Sequence, residues 1–137
     1  EPDRAAARAD LGPAGRLRAA RDGRDPAALV AELEELAKPD VLRDTLPADR
    51  PPVVRELVAL TAADRPDVRS AAVQAVARWS PADARRPVLA ALASDDPDER
   101  RAALALAAKY PDAEVARAVA ARLPDRDDRA AAKAALL

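Results

Sequence analysis

Residues 64–69 read Asp-Arg-Pro-Asp-Val-Arg and residues 95–100 read Asp-Asp-Pro-Asp-Glu-Arg, so one pattern returns after 31 positions. After the proline of the first copy, apolar residues follow at i, i+4, i+7, i+8 and i+11: Val68, Ala72, Ala75, Val76 and Trp79. This spacing covers one face of an α-helix, and proline is favoured at the first helical position. The pattern therefore predicts two equivalent helices, which begin at Pro66 and Pro97.

The repeat extends in both directions from this pattern. The preceding helices align at the same offset, with Leu57, Val88 and Val119 in equivalent positions. A third copy of the second helix begins at residues 127–129, Asp-Asp-Arg, and we expect Ala132, Ala135 and Leu136 in its core positions. Each unit is a helix, a short turn and a second helix. Because one such hairpin cannot bury its apolar face alone, neighbouring hairpins are expected to stack.

The composition favours helices throughout. The chain has 39 Ala, 16 Leu and 11 Val among 137 residues, and it has no Ile, Phe, Met or Cys. Alanine is the best helix former, and Ile, Phe, Tyr and Thr, on which sheets normally draw, are nearly absent. Proline and aspartate then divide the chain at typical helix starts, such as Asp25-Pro26 and Asp96-Pro97. The predicted helices are 3–9, 14–22, 26–37, 39–46, 51–63, 66–79, 81–93, 97–110, 112–123 and 126–136.

The repeated unit resembles the HEAT-like helical repeats, especially their short bacterial, PBS-lyase-type form. The residues that carry the resemblance are Asp64, Pro66, Asp67, Val68, Arg69, Asp95, Pro97, Arg100, Asp127 and Arg129. The resemblance implies an all-α fold, a right-handed α-solenoid of stacked helical hairpins with an armadillo-like superhelix. We expect a single domain over 1–137. It would hold repeats at 51–79, 81–110 and 112–137, a degenerate repeat at 26–46 and N-terminal cap helices within 1–24.

An arginine recurs at one position of every second helix, as Arg69, Arg100 and Arg129. In HEAT-like repeats the matching arginine commonly pairs with an aspartate of the turn between the helices, in its own or the neighbouring repeat. The candidates for such a structural ladder are Asp64, Asp95 and Asp125. The alternative is a row of arginines that faces a ligand.

The sequence gives no support for catalysis. The chain has no His and no Cys, and its hydroxyl groups have no histidine partner, which removes the commonest bases, metal ligands and nucleophiles. No glycine-rich phosphate loop is present among the three glycines. The acidic clusters 95–99 and 125–128 are interpreted as helix caps; a hard cation is the alternative, although their spacing differs from a calcium loop. We expect no enzyme activity, catalytic residue, metal or cofactor.

Beyond their first turns, the second helices of the three repeats contain no acidic residue. The resemblance implies that these helices line the concave face, which would then be basic. The candidate partner-binding residues are Arg69, Gln74, Arg78, Arg101, Lys109 and Lys133. Helix dipoles, which place bases near helix ends, are the alternative explanation. Trp79 and Tyr110 occupy equivalent positions, either as core residues or as an exposed aromatic pair.

These observations predict a protein-interaction scaffold or assembly module that binds a protein partner, such as an acidic segment. Nucleic-acid binding along the basic face and an accessory role in a larger enzyme are the alternatives. The net charge of −1 gives no general attraction to nucleic acid or to an anionic membrane. Without a signal peptide or a long apolar run, a cytoplasmic location is expected. Since the chain begins at Glu1 rather than Met, we expect a processed chain or a piece of a longer one.

Overall fold

The structure is a computed structural model that describes residues 12–109, 112–122 and 128–136. These residues form helices and turns, with no strand among them, so the all-α prediction is confirmed. The α-helices are α1 (Pro13–Asp22), α2 (Pro26–Leu36), α3 (Pro39–Asp44), α4 (Arg50–Leu60), α5 (Pro66–Trp79), α6 (Pro81–Leu92), α7 (Pro97–Ala107), α8 (Ala113–Ala120) and α9 (Arg129–Leu136). A 3₁₀ turn at Pro47–Asp49 precedes α4.

The helix starts follow the local chemistry of proline and aspartate. Six of the helices in the described ranges begin at a proline, whose missing N–H would have no partner in the first turn. Asp25 accepts a hydrogen bond from the amide of Ala28 at 3.2 Å, and Asp96 accepts one from the amide of Glu99 at 2.9 Å. Both predicted N-caps are therefore confirmed. The predicted helix 3–9 lies outside the described residues.

The chain divides into two compact units, Glu1–Pro81 and Ala82–Leu137. In the first unit α1 packs against α2, and α4 packs against α5. The two hairpins also contact each other, α1 with α4 and α2 with α5. Leu17, Leu33, Leu57 and Val76 are fully buried, so each of these four helices contributes to one core.

Helix α2 has a packing partner that the sequence did not suggest. The degenerate repeat predicted at 26–46 joined helices 26–37 and 39–46, and residues 1–24 were expected to form a cap. In the structure α1 forms a hairpin with α2, while the six-residue α3 lies against α2 and α5. Helix α2 is therefore the second helix of a hairpin, and its apolar stripe Leu29, Leu33 and Leu36 is buried.

In the second unit α7 packs against α8 and α9, and α8 packs against α9. Ala103, Ala107 and Ala132 are buried as the repeat predicts, and Leu104 is buried beside them in sequence. Leu136 is 43% exposed, so its predicted place in the core is wrong. Leu136 lies on the same side of α9 as the buried Ala132, but it is the last residue of the helix, where its side chain stays accessible.

Candidate interaction surface

Trp79 joins the ends of two neighbouring second helices. Its indole is buried, and Nε1 donates a hydrogen bond to the carbonyl oxygen of Leu36 at 2.7 Å. The next carbonyl, that of Ala37, accepts a hydrogen bond from Nε of Arg78 at 3.2 Å. Carbonyls at the end of a helix lack intrahelical donors, so both contacts cap the C-terminus of α2. Trp79 is a core residue rather than an exposed hot spot, and Tyr110 lies outside the described residues.

Arg69 and Arg100 fasten the turns of their own hairpins. Nη1 of Arg69 donates to the carbonyl oxygens of Ala63 and Asp64, both at 2.9 Å. Nη1 of Arg100 donates to the carbonyl oxygen of Ser94, also at 2.9 Å. Ala63 and Ser94 precede their arginines by the same six positions. The repeated arginine is thus a clamp on backbone carbonyls of the preceding turn.

Arg100 also bonds a carboxylate, but that carboxylate belongs to neither Asp95 nor Asp125, the two candidates predicted for this region. Its Nε donates to Oδ2 of Asp128 at 2.8 Å, and Asp128 is completely buried. Asp95 is exposed, and Asp125, the remaining ladder candidate, lies outside the described residues. The Arg100–Asp128 pair connects α7 to the residue immediately before α9. It is a cross-helix contact between successive second helices.

The sequence held a signal for this pair. Asp128 aligns with Glu99 and with Val68, and all three side chains are buried. A carboxylate at a position that is apolar in the first copy requires a buried partner, because an unpaired buried charge is costly. Oδ1 of Asp128 has no hydrogen-bond partner among the residues that the structure describes. The bond from Arg100 therefore reaches only one of the two oxygens, Oδ2.

First helices are linked by exposed ion pairs. In the second unit Nε of Arg85 donates to Oδ2 of Asp112 at 2.9 Å, and Nη2 of Arg85 contacts Glu114. Oδ1 of Asp112 caps α8 by accepting from the amides of Glu114 and Val115. The amide of Val115 lowers the pKa of Asp112 from its ordinary value of 3.8, and Arg85 lowers it further. In the first unit Arg21 of α1 reaches Glu56 of α4 at 2.8 Å.

The predicted partner-binding residues separate into two kinds. Arg69 and Gln74 are half-buried, and Arg69 is held on its turn. The side chains of Arg78, Arg101, Lys109 and Lys133 are exposed. Arg101 approaches Asp98, one helical turn earlier, at 3.5 Å, and both side chains are well exposed, so this pair stabilises little.

Within each unit, these residues lie on the same helix or on helices that pack together. Arg69, Gln74 and Arg78 lie on α5, whereas Arg101 and Lys133 lie on the adjoining helices α7 and α9, with Lys109 just after α7. The exposed cations Arg101 and Lys133 therefore lie on two helices that pack against each other. Beyond the first turn of α7, neither helix carries an acidic residue.

Helix α2 changes the charge expected of the second helices. Since α2 is the second helix of its hairpin, its exposed Glu34 and Glu35 belong to the same class of surface as Arg78. Glu32, half-buried on α2, lies 3.6 Å from Arg16 of α1. Basic second helices are therefore a property of α5, α7 and α9, and the first hairpin presents carboxylates.

Sequence reasoning also overlooked a row of arginines on the first helices. Arg55, Arg86 and Arg117 repeat at intervals of 31 residues on α4, α6 and α8, and all three are exposed. The same offset that identified the repeat could have found them. These three arginines, the first-helix arginine row, match Arg78, Arg101 and Lys109 in charge and exposure, so they can serve as a control surface.

A shallow cleft lies between the two hairpin turns of the first unit. Its volume is about 480 Å³, and apolar residues such as Leu29, Leu60 and Val68 line it. Arg24, at the rim, has a φ of 54°, a left-handed conformation that is uncommon for residues other than glycine. Carboxylates of Asp25 and Asp64 lie beside the arginines of the rim, so the cleft has no clear preference for one sign of charge.

In the three described ranges no cluster of three or more acidic side chains is arranged to hold a metal ion. No helix in those ranges is both long and apolar enough to span a membrane. Comparison with known proteins gives no relative: no protein-family model matches the chain, and no curated protein or solved structure matches it either.

Proposed function

We propose that the chain is a right-handed α-solenoid of HEAT-like hairpins that serves as a non-catalytic protein-interaction scaffold. The observation that carries this proposal is the contact between successive second helices, α2 with α5 and α7 with α9. In the first unit the first helices α1 and α4 are also neighbours, as stacking of whole hairpins requires. Stacked hairpins of this kind present extended surfaces suited to binding other proteins.

A partner would bind to exposed cations on or just after the second helices of either unit. We call these the second-helix cations: Arg78 in the first unit, and Arg101 and Lys109 in the second. These side chains are exposed; Arg101 belongs to α7, whose acidic residues are confined to its first turn, and Lys109 lies just after that helix. An acidic protein segment complements such a surface and would bind faster as the salt concentration falls. The carboxylates of α2 disfavour a continuous phosphate backbone more than they disfavour a short acidic segment, so a protein partner ranks above a nucleic acid.

The test is affinity capture with two matched triple variants. Arg78, Arg101 and Lys109 are changed to Glu in the test variant, and Arg55, Arg86 and Arg117 are changed to Glu in the control. Both variants alter the net charge equally. We expect a partner captured by the wild-type chain and the control to be lost, or reduced about tenfold, with the test variant. Equal recovery by both variants would remove the second-helix surface as the binding site.

Titration with a 20-base-pair DNA duplex at low salt examines the alternative. Counterion release makes low salt the most favourable condition for a phosphate contact. Saturable binding that the test variant loses and the control keeps would replace the protein partner with a nucleic acid. Absence of binding would exclude the nucleic-acid alternative and leave the protein partner as the proposal.

A further inference from the structure

The cleft between the two hairpin turns of the first unit has an apolar floor and a charged rim. The floor consists of buried apolar side chains: Ala20, Leu29, Leu60 and Val68. The rim consists of exposed charged side chains: Arg21, Arg24, Asp25, Asp64 and Arg65. All of these residues belong to α1, α2, α4, α5 and the turns that join them, within one compact unit. The cleft is therefore complete within that unit.

Both signs of charge are present on the rim, and pairing decides which arginine is free to bind. Nη1 of Arg21 donates to Oε2 of Glu56 at 2.8 Å. Nε and Nη2 of Arg65 donate to the two carboxylate oxygens of Asp67, each at 3.0 Å. The guanidinium of Arg24 is exposed and has no hydrogen bond or ion pair among the residues that the structure describes. Of the three rim arginines, Arg24 is thus the one that can receive a carboxylate from another molecule.

The backbone at Arg24 is strained. Its φ of 54° is a left-handed conformation, which brings Cβ close to a carbonyl oxygen and is unfavourable for residues other than glycine. The glycine that precedes it, Gly23, has a φ of −71° and does not relieve this strain. The amides of Gly23 and Arg24 donate to the carbonyls of Ala19 and Arg21 at 2.9 and 3.2 Å. The turn therefore holds Arg24 in one place at the rim, which reduces the entropy that binding would cost.

We propose that this cleft binds a protein segment that carries one leucine-sized apolar side chain with a single carboxylate beside it. The apolar side chain would lie on the floor, against Leu29, Leu60 and Val68, and the carboxylate would bond Arg24. The cleft is shallow, whereas sites for small molecules enclose most of their ligand, so a side chain presented by a protein fits it better. The strain at Arg24 agrees with this role, because strained backbone is concentrated at binding and catalytic sites.

The carboxylates of the rim limit the segment to one acidic group. Oδ1 of Asp25 accepts a hydrogen bond from the amide of Ala28 at 3.2 Å, as the N-cap of α2. The side chain of Asp64 is exposed and has no hydrogen bond or ion pair in the described part of the chain. A run of acidic residues would therefore be repelled at Asp64 while it gains at Arg24. The cleft shares no residue with the second-helix cations, so the two proposals can fail independently.

The probe is the peptide acetyl-Ala-Leu-Glu-Ala-Ala-amide, with one twin that carries Gln in place of Glu and another that carries Ser in place of Leu. Titration of the ¹⁵N-labelled full chain is followed by the chemical shifts of its amides. We expect saturable shifts concentrated at residues 20–29 and 59–68, with a dissociation constant below about 1 mM. The Gln twin should bind about fivefold more weakly, the size of an ion pair near the surface. The Ser twin should bind about tenfold more weakly, because it buries less apolar area.

Variants of the full chain separate binding from stability at Arg24. Arg24→Ala keeps the strained backbone and removes the guanidinium, so it should bind the peptide about fivefold more weakly with little change in melting temperature. Arg24→Gly should weaken binding equally but raise the melting temperature by about 4 °C, because glycine adopts a positive φ without strain. Asp64→Asn should bind about twofold more tightly. Arg55→Ala, at an exposed arginine of α4 outside the cleft, is the matched control and should bind as the wild type does.

Opposite effects of Arg24→Gly on stability and on binding would support the proposal, since a purely structural role of Arg24 does not produce them. Absence of saturable shifts at about 10 mM peptide would overturn it, as would shifts concentrated outside the two turns. Equal affinity of the wild type, Arg24→Ala and Arg24→Gly for the peptide would also overturn it, because Arg24 would then take no part in binding.

Discussion

The two units join their second helices in chemically different ways. In the first unit α2 brings the buried Leu33 and Leu36 to α5, and Trp79 of α5 bonds the carbonyl of Leu36. In the second unit α7 and α9 meet through a buried ion pair, Arg100 with Asp128, beside alanines such as Ala103 and Ala132. One contact is large and apolar, and the other combines small apolar residues with a charge pair.

This difference follows from side-chain volume. Leucine and tryptophan bury much more apolar area than alanine, and the hydrophobic contribution rises with that area. Alanines let helices approach closely but leave less area to hold them together. A buried ion pair adds little net stability against an apolar pair, yet breaking it is costly, so its main effect is to fix which helix faces which. We therefore expect the first unit to resist unfolding more and the second to respond more to charge.

The largest expected effect is that of Trp79→Ala. Removing a buried indole and its hydrogen bond should lower the free energy of unfolding by about 3–5 kcal/mol, through lost burial and a cavity. Trp79→Phe keeps an aromatic ring but not the Nε1–H donor, and it should cost less. Urea unfolding followed by far-UV circular dichroism measures both. A loss below about 1 kcal/mol for Trp79→Ala would show that the first unit does not depend on this residue.

Asp128→Asn should have an intermediate effect. The amide has nearly the volume of the carboxylate but loses the charge opposite Arg100, which we expect to cost about 1.5–3 kcal/mol. Amide hydrogen exchange should speed up in α7 and α9 more than in α2 and α5. In thermal unfolding, Asp128→Asn should lower the melting temperature followed by the fluorescence of Trp79, the single tryptophan, less than the one followed by circular dichroism.

The double variant Arg100→Met/Asp128→Leu is the control for this pair. It replaces both charges with apolar groups and should recover part of the stability that Asp128→Asn loses, because the bond from Arg100 to the carbonyl of Ser94 is lost as well. Oδ1 of Asp128 has no described hydrogen-bond partner, so removing the carboxylate together with Arg100 leaves less polar surface unsatisfied. Uniform acceleration of exchange in both units by Asp128→Asn would contradict the contrast between them.

The smallest expected effect concerns Asp112 and pH. Hydrogen bonds from the amide of Val115 and from Arg85 lower the pKa of this carboxyl below 3.8 in the folded chain. A lowered folded pKa means that ionisation favours folding, so this contribution is present above pH 3.8 and is lost as the pH falls through the lower folded value. Asp112→Asn keeps an N-cap acceptor.

Thermal unfolding between pH 2 and 7 compares the wild type with Asp112→Asn. The wild type should have a slightly higher melting temperature near neutral pH, and the difference should disappear in acid. A difference that persists unchanged at pH 2 would show that the charge of Asp112 is not its source. Because Arg85 and Asp112 lie at the surface, high salt should also reduce the difference at neutral pH.

Much of the local structure follows from sequence alone. Proline and aspartate mark helix starts through groups within three or four residues, so the caps at Asp25 and Asp96 were predictable. The buried stripe from Val68 to Trp79 was predictable for the same reason, since a helical period places those residues on one side. The recurrence at 31 residues further identified equivalent positions, including the arginines that clamp the turns.

Only the tertiary structure decided which helices and which charges meet. The pairing of α1 with α2, the choice of Asp128 as the partner of Arg100, and the exposure of Leu136 depend on segments distant in sequence. A carboxylate's partner is set by the distance and burial that packing creates, and several aspartates near each turn satisfy the sequence pattern equally. The sequence therefore determined the helices and their apolar faces. Packing selected Asp128 as the partner of Arg100 and left Leu136 exposed on α9.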